Sequence, residues 1–135
     1  MQAHDWFRPV VAALGAVLSY LYGGWNALLG VLLAFVVADY LTGVAAAAVE
    51  GKLNSAIGFK GIAKKVGVFL VVAVAHLADT VLGDQSLIMD AAIFWYLANE
   101  LLSITENAGR IGVPIPPVIA RAVEVLRGKG EAEVK

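Results

Sequence analysis

Residues 27–49 of the chain read ALLGVLLAFVVADYLTGVAAAAV, an apolar stretch interrupted by a single charged residue, Asp39. Its length matches the roughly 20 apolar residues that a helix needs to cross a bilayer. No other charged residue occurs between Pro9 and Val49. A carboxylate inside a membrane costs roughly 2.5–3.5 kcal/mol on insertion scales, and such groups usually have a partner or face water. The stretch therefore predicts a membrane-spanning helix whose Asp39 contacts another polar group or lines a water-filled cavity or pore.

The composition of the whole chain is that of a membrane protein. Of its 135 residues, 60% are hydrophobic and 16% are charged, whereas soluble domains are about 45–50% apolar and about 25% charged. The absence of cysteine excludes a disulfide framework, a thiol nucleophile and a thiolate metal site. The net charge is −1 and no basic stripe is interleaved with aromatic residues, so nucleic acid is not an expected partner.

Four apolar segments are candidates for spanning helices. Alanine and leucine dominate them and the alternation typical of strands is absent, which favours helix. We expect an all-α integral membrane protein with four transmembrane helices in two hairpins, at about 6–22, 27–49, 62–82 and 87–105. These helices make up a transmembrane domain over residues 1–111. Residues 112–135 are expected to form a Pro-rich turn, a short amphipathic helix near 118–126 and a flexible cytoplasmic tail from Gly128 onward.

The basic residues all fall on one side of this four-helix topology. The turns after the first and the third helix contain no Lys or Arg. The N-terminal arm, the connection between helices 2 and 3 and the tail contain all of them: Arg8, Lys52, Lys60, Lys64, Lys65, Arg110, Arg121, Arg127, Lys129 and Lys135. The positive-inside rule then places both termini in the cytoplasm. We expect a multi-pass protein of the cytoplasmic membrane.

The N-terminal segment resembles a signal peptide in the length of its apolar run, Val10–Tyr22. Only Arg8 supplies positive charge, Asp5 offsets it, and no small-residue cleavage site follows. We therefore expect this segment to be retained as the first helix.

Asp39 is expected to lie at the same depth as Glu100. Counted from the outer helix ends at about 1.5 Å per residue, both carboxylates lie roughly 18–20 Å into the membrane. Lys64 and Lys65 enter from the opposite side at a nearby level. Paired charges are tolerated in an apolar interior far better than single ones. We hypothesise a cluster of Asp39, Glu100 and one of the two lysines.

Two small residues share the helix face of Asp39. Thr42 and Gly43 follow it at i+3 and i+4, the spacing that brings side chains to one side of a helix. Small residues allow helices to approach closely in lipid. This face is therefore a predicted helix–helix contact.

Polar residues also occur in the third and fourth helices. In the third, His76 precedes Asp79 by three residues, which suggests either a proton site or a hydrogen-bonded pair near the outer interface. In the fourth, six polar residues lie along one side: Tyr96, Asn99, Glu100, Ser103, Glu106 and Asn107. Such a stripe cannot face acyl chains, so it is expected to face the bundle, another subunit or water. A fourth helix lying at the membrane surface remains an alternative.

Motifs for enzymatic chemistry are absent from the sequence. It has no nucleophile elbow, no phosphate-binding glycine loop and no HExxH motif. Its two histidines have no thiolate to complete a metal site. We expect neither enzyme activity nor a cofactor.

The ordered polar motifs resemble those of the phage lysis and toxin-secretion holin family, found mainly with Gram-positive hosts. The similarity runs from Asp39 to Pro117. It rests on Asp39-Tyr-Leu-Thr-Gly43, Leu53-Asn-Ser55, Gly58-Phe-Lys-Gly61, Lys64-Lys65, Asp79, Glu100-Leu-Leu-Ser-Ile-Thr-Glu-Asn107 and Gly112-Val-Pro-Ile-Pro116. The tail differs from the strongly basic end common among holins, because it mixes acidic and basic residues.

This resemblance implies a small protein of the bacterial cytoplasmic membrane that self-associates. It then opens lesions through which an endolysin reaches the cell wall, or through which a toxin leaves. The implied partners are the lipid bilayer, further copies of the chain, and an endolysin or exported toxin. The predicted intramembrane polar and assembly residues are Asp39, Thr42, Gly43, Lys64, Lys65, Asp79, Glu100, Ser103, Glu106 and Asn107. The predicted loop and turn motif comprises Ser55, Gly58, Gly61, Gly112, Pro114 and Pro116.

Two further functions fit the residues. A small ion or proton channel or transporter would use Asp39, His76, Asp79 and Glu100 as a relay. A membrane anchor or accessory subunit would need none of them. A holin kills abruptly and releases a co-expressed cytoplasmic endolysin, a selective channel passes ions but retains that protein, and an anchor does neither alone.

Overall fold

The computed structural model describes residues 5–134, with side chains through residue 129, and this part of the chain is helical. Its five helices are α1 (Phe7–Tyr22), α2 (Ala27–Val49), α3 (Ser55–Leu82), α4 (Leu87–Ile111) and α5 (Pro117–Val134). Three of them, α2, α3 and α4, are long and apolar enough to cross a membrane. Helix α1 is apolar but has only 16 residues. The all-α prediction is confirmed for these residues, whereas the four-span topology and the orientation stay predictions.

Helix α4 is the centre of the bundle, because it packs against α2, α3 and α5. The core lies between α2, α3 and α4 and is formed by nine buried residues: Leu29, Leu32, Val36, Val68, Val72, Ala75, Met89, Ile93 and Leu97. Large apolar side chains on the outside of the bundle, such as Leu41 and Leu70, are about 60% exposed. An apolar exterior around an apolar core is the pattern of a helix bundle surrounded by lipid.

The two ends of the bundle differ in charge. We call the end with the α2–α3 connection, residues 50–54, and the α4–α5 connection, residues 113–116, the basic end. It contains Lys52 and Arg110. We call the end with residues 23–26 and 83–86 the acidic end, because it contains Asp84 and no Lys or Arg.

Helix α3 begins seven residues earlier than predicted. Asn54 caps it by accepting a hydrogen bond from the Ile57 backbone N–H at 2.9 Å, an arrangement that stabilises a helix start. Ser55, Gly58 and Gly61 are therefore helical, and their assignment to a loop was wrong. The two glycines instead leave room for Tyr40 of α2, since a Cβ on either residue would lie 3.4 Å from its side chain.

The end of α4 agrees with the predicted turn motif. Helix α4 continues to Ile111, six residues beyond the predicted end, and stops at Gly112, whose φ of 102° is accessible mainly to glycine. Pro114 and Pro116 lie in the non-helical connection that follows.

Helix α5 is longer than the predicted tail helix and packs against α4. It continues through Val134 where a flexible tail was expected from Gly128, and Lys135 lies outside the described residues. Val123 is buried and Leu126 packs against the core. The Nζ of Lys129 lies 5.7 Å from the ring centroid of Phe94. Helix α5 therefore packs against α4 instead of ending before Gly128 in a flexible tail.

Helix α1 is peripheral. None of its residues is buried, and within the described part of the chain α3 is the only helix it packs against. The Tyr22 hydroxyl donates a hydrogen bond to the Phe69 carbonyl at 2.9 Å. At the following turn Gly23 has φ 73°, and a Cβ there would lie 2.8 Å from the His76 ring. The turn thus needs glycine for both conformation and space.

Candidate functional site

A buried cluster of charges joins α2, α3 and α4. The Lys65 ammonium donates hydrogen bonds to Asp39 Oδ2 and, at 2.7 Å, to Glu100 Oε2. Asp39 is 6% exposed and Glu100 is 5% exposed. The structure therefore brings together the two predicted carboxylates, and Lys65, rather than Lys64, is their cation. Two carboxyl groups therefore share one ammonium group.

Asn107 of α4 extends this cluster to the predicted contact face of α2. Its Nδ2 donates to Asp39 Oδ1 at 2.9 Å and to Thr42 Oγ1 at 3.1 Å. A Cβ on Gly43 would lie 3.4 Å from the same Nδ2. Thr42 and Gly43 therefore allow α4 of the same chain to approach closely enough for these bonds. We call Asp39, Lys65, Glu100 and Asn107 the polar cluster.

A second group of charges links the polar cluster to the basic end. Arg110 Nη1 donates to Asn107 Oδ1 at 3.3 Å, and Arg110 Nε donates to Glu50 Oε1 at 2.6 Å. The Lys52 ammonium lies 3.5 Å from Glu50 Oε2. The hydrogen bond from Arg110 lowers the pKa of Glu50, which lies beyond the end of α2. A connected set of polar groups thus runs from the middle of the bundle to its surface.

The sequence did not point to this outer group. Glu50, Lys52 and Arg110 were not among the predicted site residues, although Glu50 and Arg110 follow two helices that were predicted to end at the same membrane face. Their opposite charges at one level are the signal that could have identified them.

Two cavities open beside the polar cluster. One of about 300 Å³ lies toward the basic end, and one of about 340 Å³ lies between α3 and α4. Asp39, Lys64, Lys65 and Ser103 line both cavities. Glu106 lines the second cavity and is exposed. Lys64, Ser103 and Glu106 therefore lie beside the cluster, as residues that line its cavities.

Asp79 lies apart from the cluster, near the acidic end. It is 1% exposed, and its two carboxylate oxygens accept hydrogen bonds from the backbone N–H groups of Ile88 and Met89, each at 2.8 Å. These donors are in the first turn of α4, where N–H groups have no partner within the helix. Asp79 thus caps a neighbouring helix.

The predicted His76–Asp79 pair is not formed. Among the described residues no hydrogen bond joins the two side chains, and the His76 ring lies against Gly23 instead. The Asp79 carboxylate instead accepts hydrogen bonds from the backbone at the start of α4.

The chemistry available to the site is that of charged and amide side chains. Among the side chains of residues 5–129, no three or more His, Asp or Glu residues are grouped so that they could hold a metal ion. What the cluster can do chemically is keep opposite charges together in an apolar interior and exchange their partners for water or for another chain.

Comparisons with known proteins place residues 16–128 within the model of a bacteriophage holin family. An uncharacterized protein of Halalkalibacterium halodurans is 48% identical over 87% of this chain and 90% of its own length. An uncharacterized protein of Listeria monocytogenes is 44% identical over 93% of this chain and 90% of its own length. A probable holin of Bacillus phage phi105 is 35% identical over 87% of this chain and 86% of its own length. No solved structure matches.

Proposed function

This chain belongs to the bacteriophage holin family, and from that premise we propose that it oligomerises in the cytoplasmic membrane and opens lesions that cause host cell lysis. The family match agrees with the resemblance noted in the sequence. The lesions would release an endolysin to the cell wall, or a toxin from the cell.

The buried polar cluster is the observation that supports this proposal best. A purely structural bundle in lipid is held by close packing and has no need of two carboxylates and a lysine in its interior. Here Lys65 satisfies Asp39 and Glu100 within one chain. Cavities on both sides give water or another copy access to these groups. Such a cluster is stable when closed and can become part of a polar surface when helices separate.

The membrane arrangement that we propose has four spans with both termini in the cytoplasm. Helix α1 would be the fourth span, with Trp6 and Trp25 exposed at its two ends, 56% and 58% respectively, where interfacial tryptophans are common. Helix α5 carries Arg121 and Arg127 and cannot face acyl chains. In the membrane its contact with α4 would therefore be released or covered by a neighbouring copy.

A selective ion or proton channel is the second candidate. The cavity of about 340 Å³, which is lined by both Asp39 and Glu100, is the observation that favours it. A channel and a holin lesion differ in size, because only the lesion lets a folded protein through.

Induced expression of the chain together with a cytoplasmic endolysin tests the proposal. We expect an abrupt loss of turbidity and the appearance of a cytoplasmic marker enzyme in the medium. Induction of the chain alone should depolarise the membrane and stop growth without dissolving the cell wall. Depolarisation with complete retention of endolysin would contradict the holin proposal and favour the channel.

A further inference from the structure

The cavity at the basic end has the chemistry of a phosphate site with an apolar wall. It measures about 300 Å³, and Lys52, Lys64 and Arg110 line it. Leu53 and Ile57 line it too and are each 51% exposed. We call it the basic pocket.

The acidic groups around the basic pocket do not neutralise all of its cations. Lys65 is bonded to Asp39 and Glu100. Lys52 and Arg110 share Glu50. Four cations therefore meet three carboxylates, and the excess positive charge falls on Lys64, which has no carboxylate within 4.0 Å among the described side chains.

The basic pocket also has the right depth for a lipid headgroup. Helix α3 has 28 residues and is about 42 Å long, which exceeds the roughly 30 Å of hydrocarbon in a bilayer. If Leu82 marks one hydrocarbon boundary, the other lies near residue 62, close to Lys64. Lys52 and Arg110 then lie among the headgroups, and Lys64 can extend its ammonium group toward them.

We propose that the basic pocket binds the phosphate of an anionic phospholipid from the cytoplasmic leaflet. This inference uses the membrane orientation of the proposed function. Basic pockets between membrane helices on the cytoplasmic side are suited to acidic headgroups, since each Lys or Arg near the surface adds to the attraction. Free phosphate would engage the same cations. A lipid is the better occupant because the exposed wall of Leu53 and Ile57 offers apolar contact to its acyl chains.

Glycine positions in α3 keep the basic pocket open. Gly58 and Gly61 line it, and the Tyr40 side chain lies in van der Waals contact with the position that a Cβ would take on either residue. Larger side chains there would displace Tyr40, another lining residue. The two glycines, which the sequence had assigned to a turn, therefore also contribute to the shape of the basic pocket.

Native mass spectrometry of the detergent-solubilised full chain, with phosphatidylglycerol and phosphatidylcholine supplied in equal amounts, tests the proposal. We expect preferential retention of one phosphatidylglycerol per chain. The double variant Lys52→Gln, Lys64→Gln should lower that preference about fivefold per lysine. The matched control is Lys60→Gln, because Lys60 is exposed on the same helix but does not line the pocket; its preference should equal that of the wild type.

A variant that is expected to increase lipid retention separates an effect on binding from general damage to the fold. Glu50→Gln removes the carboxylate that competes for Lys52 and Arg110, so it should increase retention of phosphatidylglycerol. Excess inorganic phosphate should leave the lipid bound. Equal retention of the two lipids, loss of the preference in Lys60→Gln, or replacement of lipid by phosphate adducts would overturn the proposal. None of these readouts depends on lysis, so the site and the holin function can fail separately.

Discussion

Asp39 and Asp79 are both buried carboxylates, but the molecule satisfies them in different ways. Asp39 is bonded to the side chains of Lys65 and Asn107, which come from two other helices. Asp79 is bonded to the backbone N–H groups of Ile88 and Met89 at the start of α4. Side-chain partners can rotate away and be replaced by water or by a second copy. Backbone donors at a helix start cannot move without unwinding the helix.

This difference separates a part of the bundle that can rearrange from a part that holds it together. The polar cluster lies beside two cavities and connects to the surface through Arg110. Asp79 is almost completely buried next to the core residue Met89. We therefore expect substitutions at Asp79 to act mainly on folding, and substitutions in the polar cluster to act on folding and on lysis separately.

Removal of the shared cation should have the largest effect on stability. Lys65→Met leaves Asp39 and Glu100 buried without a counter-charge, which costs about 3–5 kcal/mol when a buried pair is broken. Reversible denaturation in detergent micelles measures this loss. Lys64→Met is the matched control, because Lys64 is exposed and forms no ion pair among the described side chains. Equal losses in the two variants would mean that Lys65 does not neutralise the cluster.

Loss of the helix cap should come next. Asp79→Ala leaves the buried N–H of Met89 and the half-buried N–H of Ile88 without an acceptor. A buried unpaired donor costs about 1–3 kcal/mol and a half-buried one costs less, so we expect a total loss of about 2–4 kcal/mol. Asp90→Ala is the control, since among the described residues the Asp90 carboxylate accepts a hydrogen bond only from the exposed Ser86 hydroxyl, four residues before it. Backbone hydrogen exchange should show faster exchange at Ile88 and Met89 in Asp79→Ala alone. Unchanged exchange there would contradict the capping role.

Substitution of Asn107 should lower stability less, because its side-chain amide is neutral and its removal leaves no buried charge without a counter-charge. Asn107→Leu removes the donor to Asp39 Oδ1 and Thr42 Oγ1 and should cost about 1–2 kcal/mol. Asn99→Leu changes a half-buried asparagine of the same helix that bonds to none of these groups. Comparison of the two variants by denaturation isolates the contact between α2 and α4. A larger loss in Asn99→Leu would argue against that contact.

The smallest effects should appear in the pH dependence of stability. Glu50 at the basic end and Asp84 at the acidic end should change stability in opposite directions as pH rises. Arg110 lowers the pKa of Glu50, so its contribution is present above the ordinary glutamate pKa of about 4.3 and lost as pH falls below it. A hydrogen bond with Asp79 raises the pKa of Asp84, so its contribution is present at low pH and lost as pH rises. Differences between wild type and Glu50→Gln should thus shrink in acid. The difference in the free energy of unfolding between wild type and Asp84→Asn should change with pH in the opposite direction. If both differences changed in the same direction, the pKa shifts given for Glu50 and Asp84 would be wrong.

The sequence predicted the bounds of those helices that end at residues of the local sequence, such as glycines. The predicted bounds of α2 agree with the structure, and those of α1 differ by one residue, because apolar runs end there at Gly23 and near Gly51. The start of α3 was missed because Gly58 and Gly61 are typical of turns. Their actual role depends on Tyr40, a residue of another helix.

The candidate site shows the same limit. Depth counting placed Asp39, Glu100 and two lysines at one level, which is a one-dimensional property of the sequence. The choice of Lys65 over Lys64 depends on how α3 is rotated against α2 and α4. The cap formed by Asp79 could not be anticipated either, because its partners are backbone groups of the next helix, which any sequence would provide.

The polar cluster can be neutralised without leaving a buried charge unpaired, and this gives the most direct test of its role. The triple variant Asp39→Asn, Lys65→Met, Glu100→Gln removes all three charges together, so it avoids the penalty of a buried charge without a partner. Lysis timing with a co-expressed endolysin is the measurement. We predict a chain that inserts and folds like the wild type but fails to release the endolysin. Lysis at the wild-type time by this neutral variant would contradict the account.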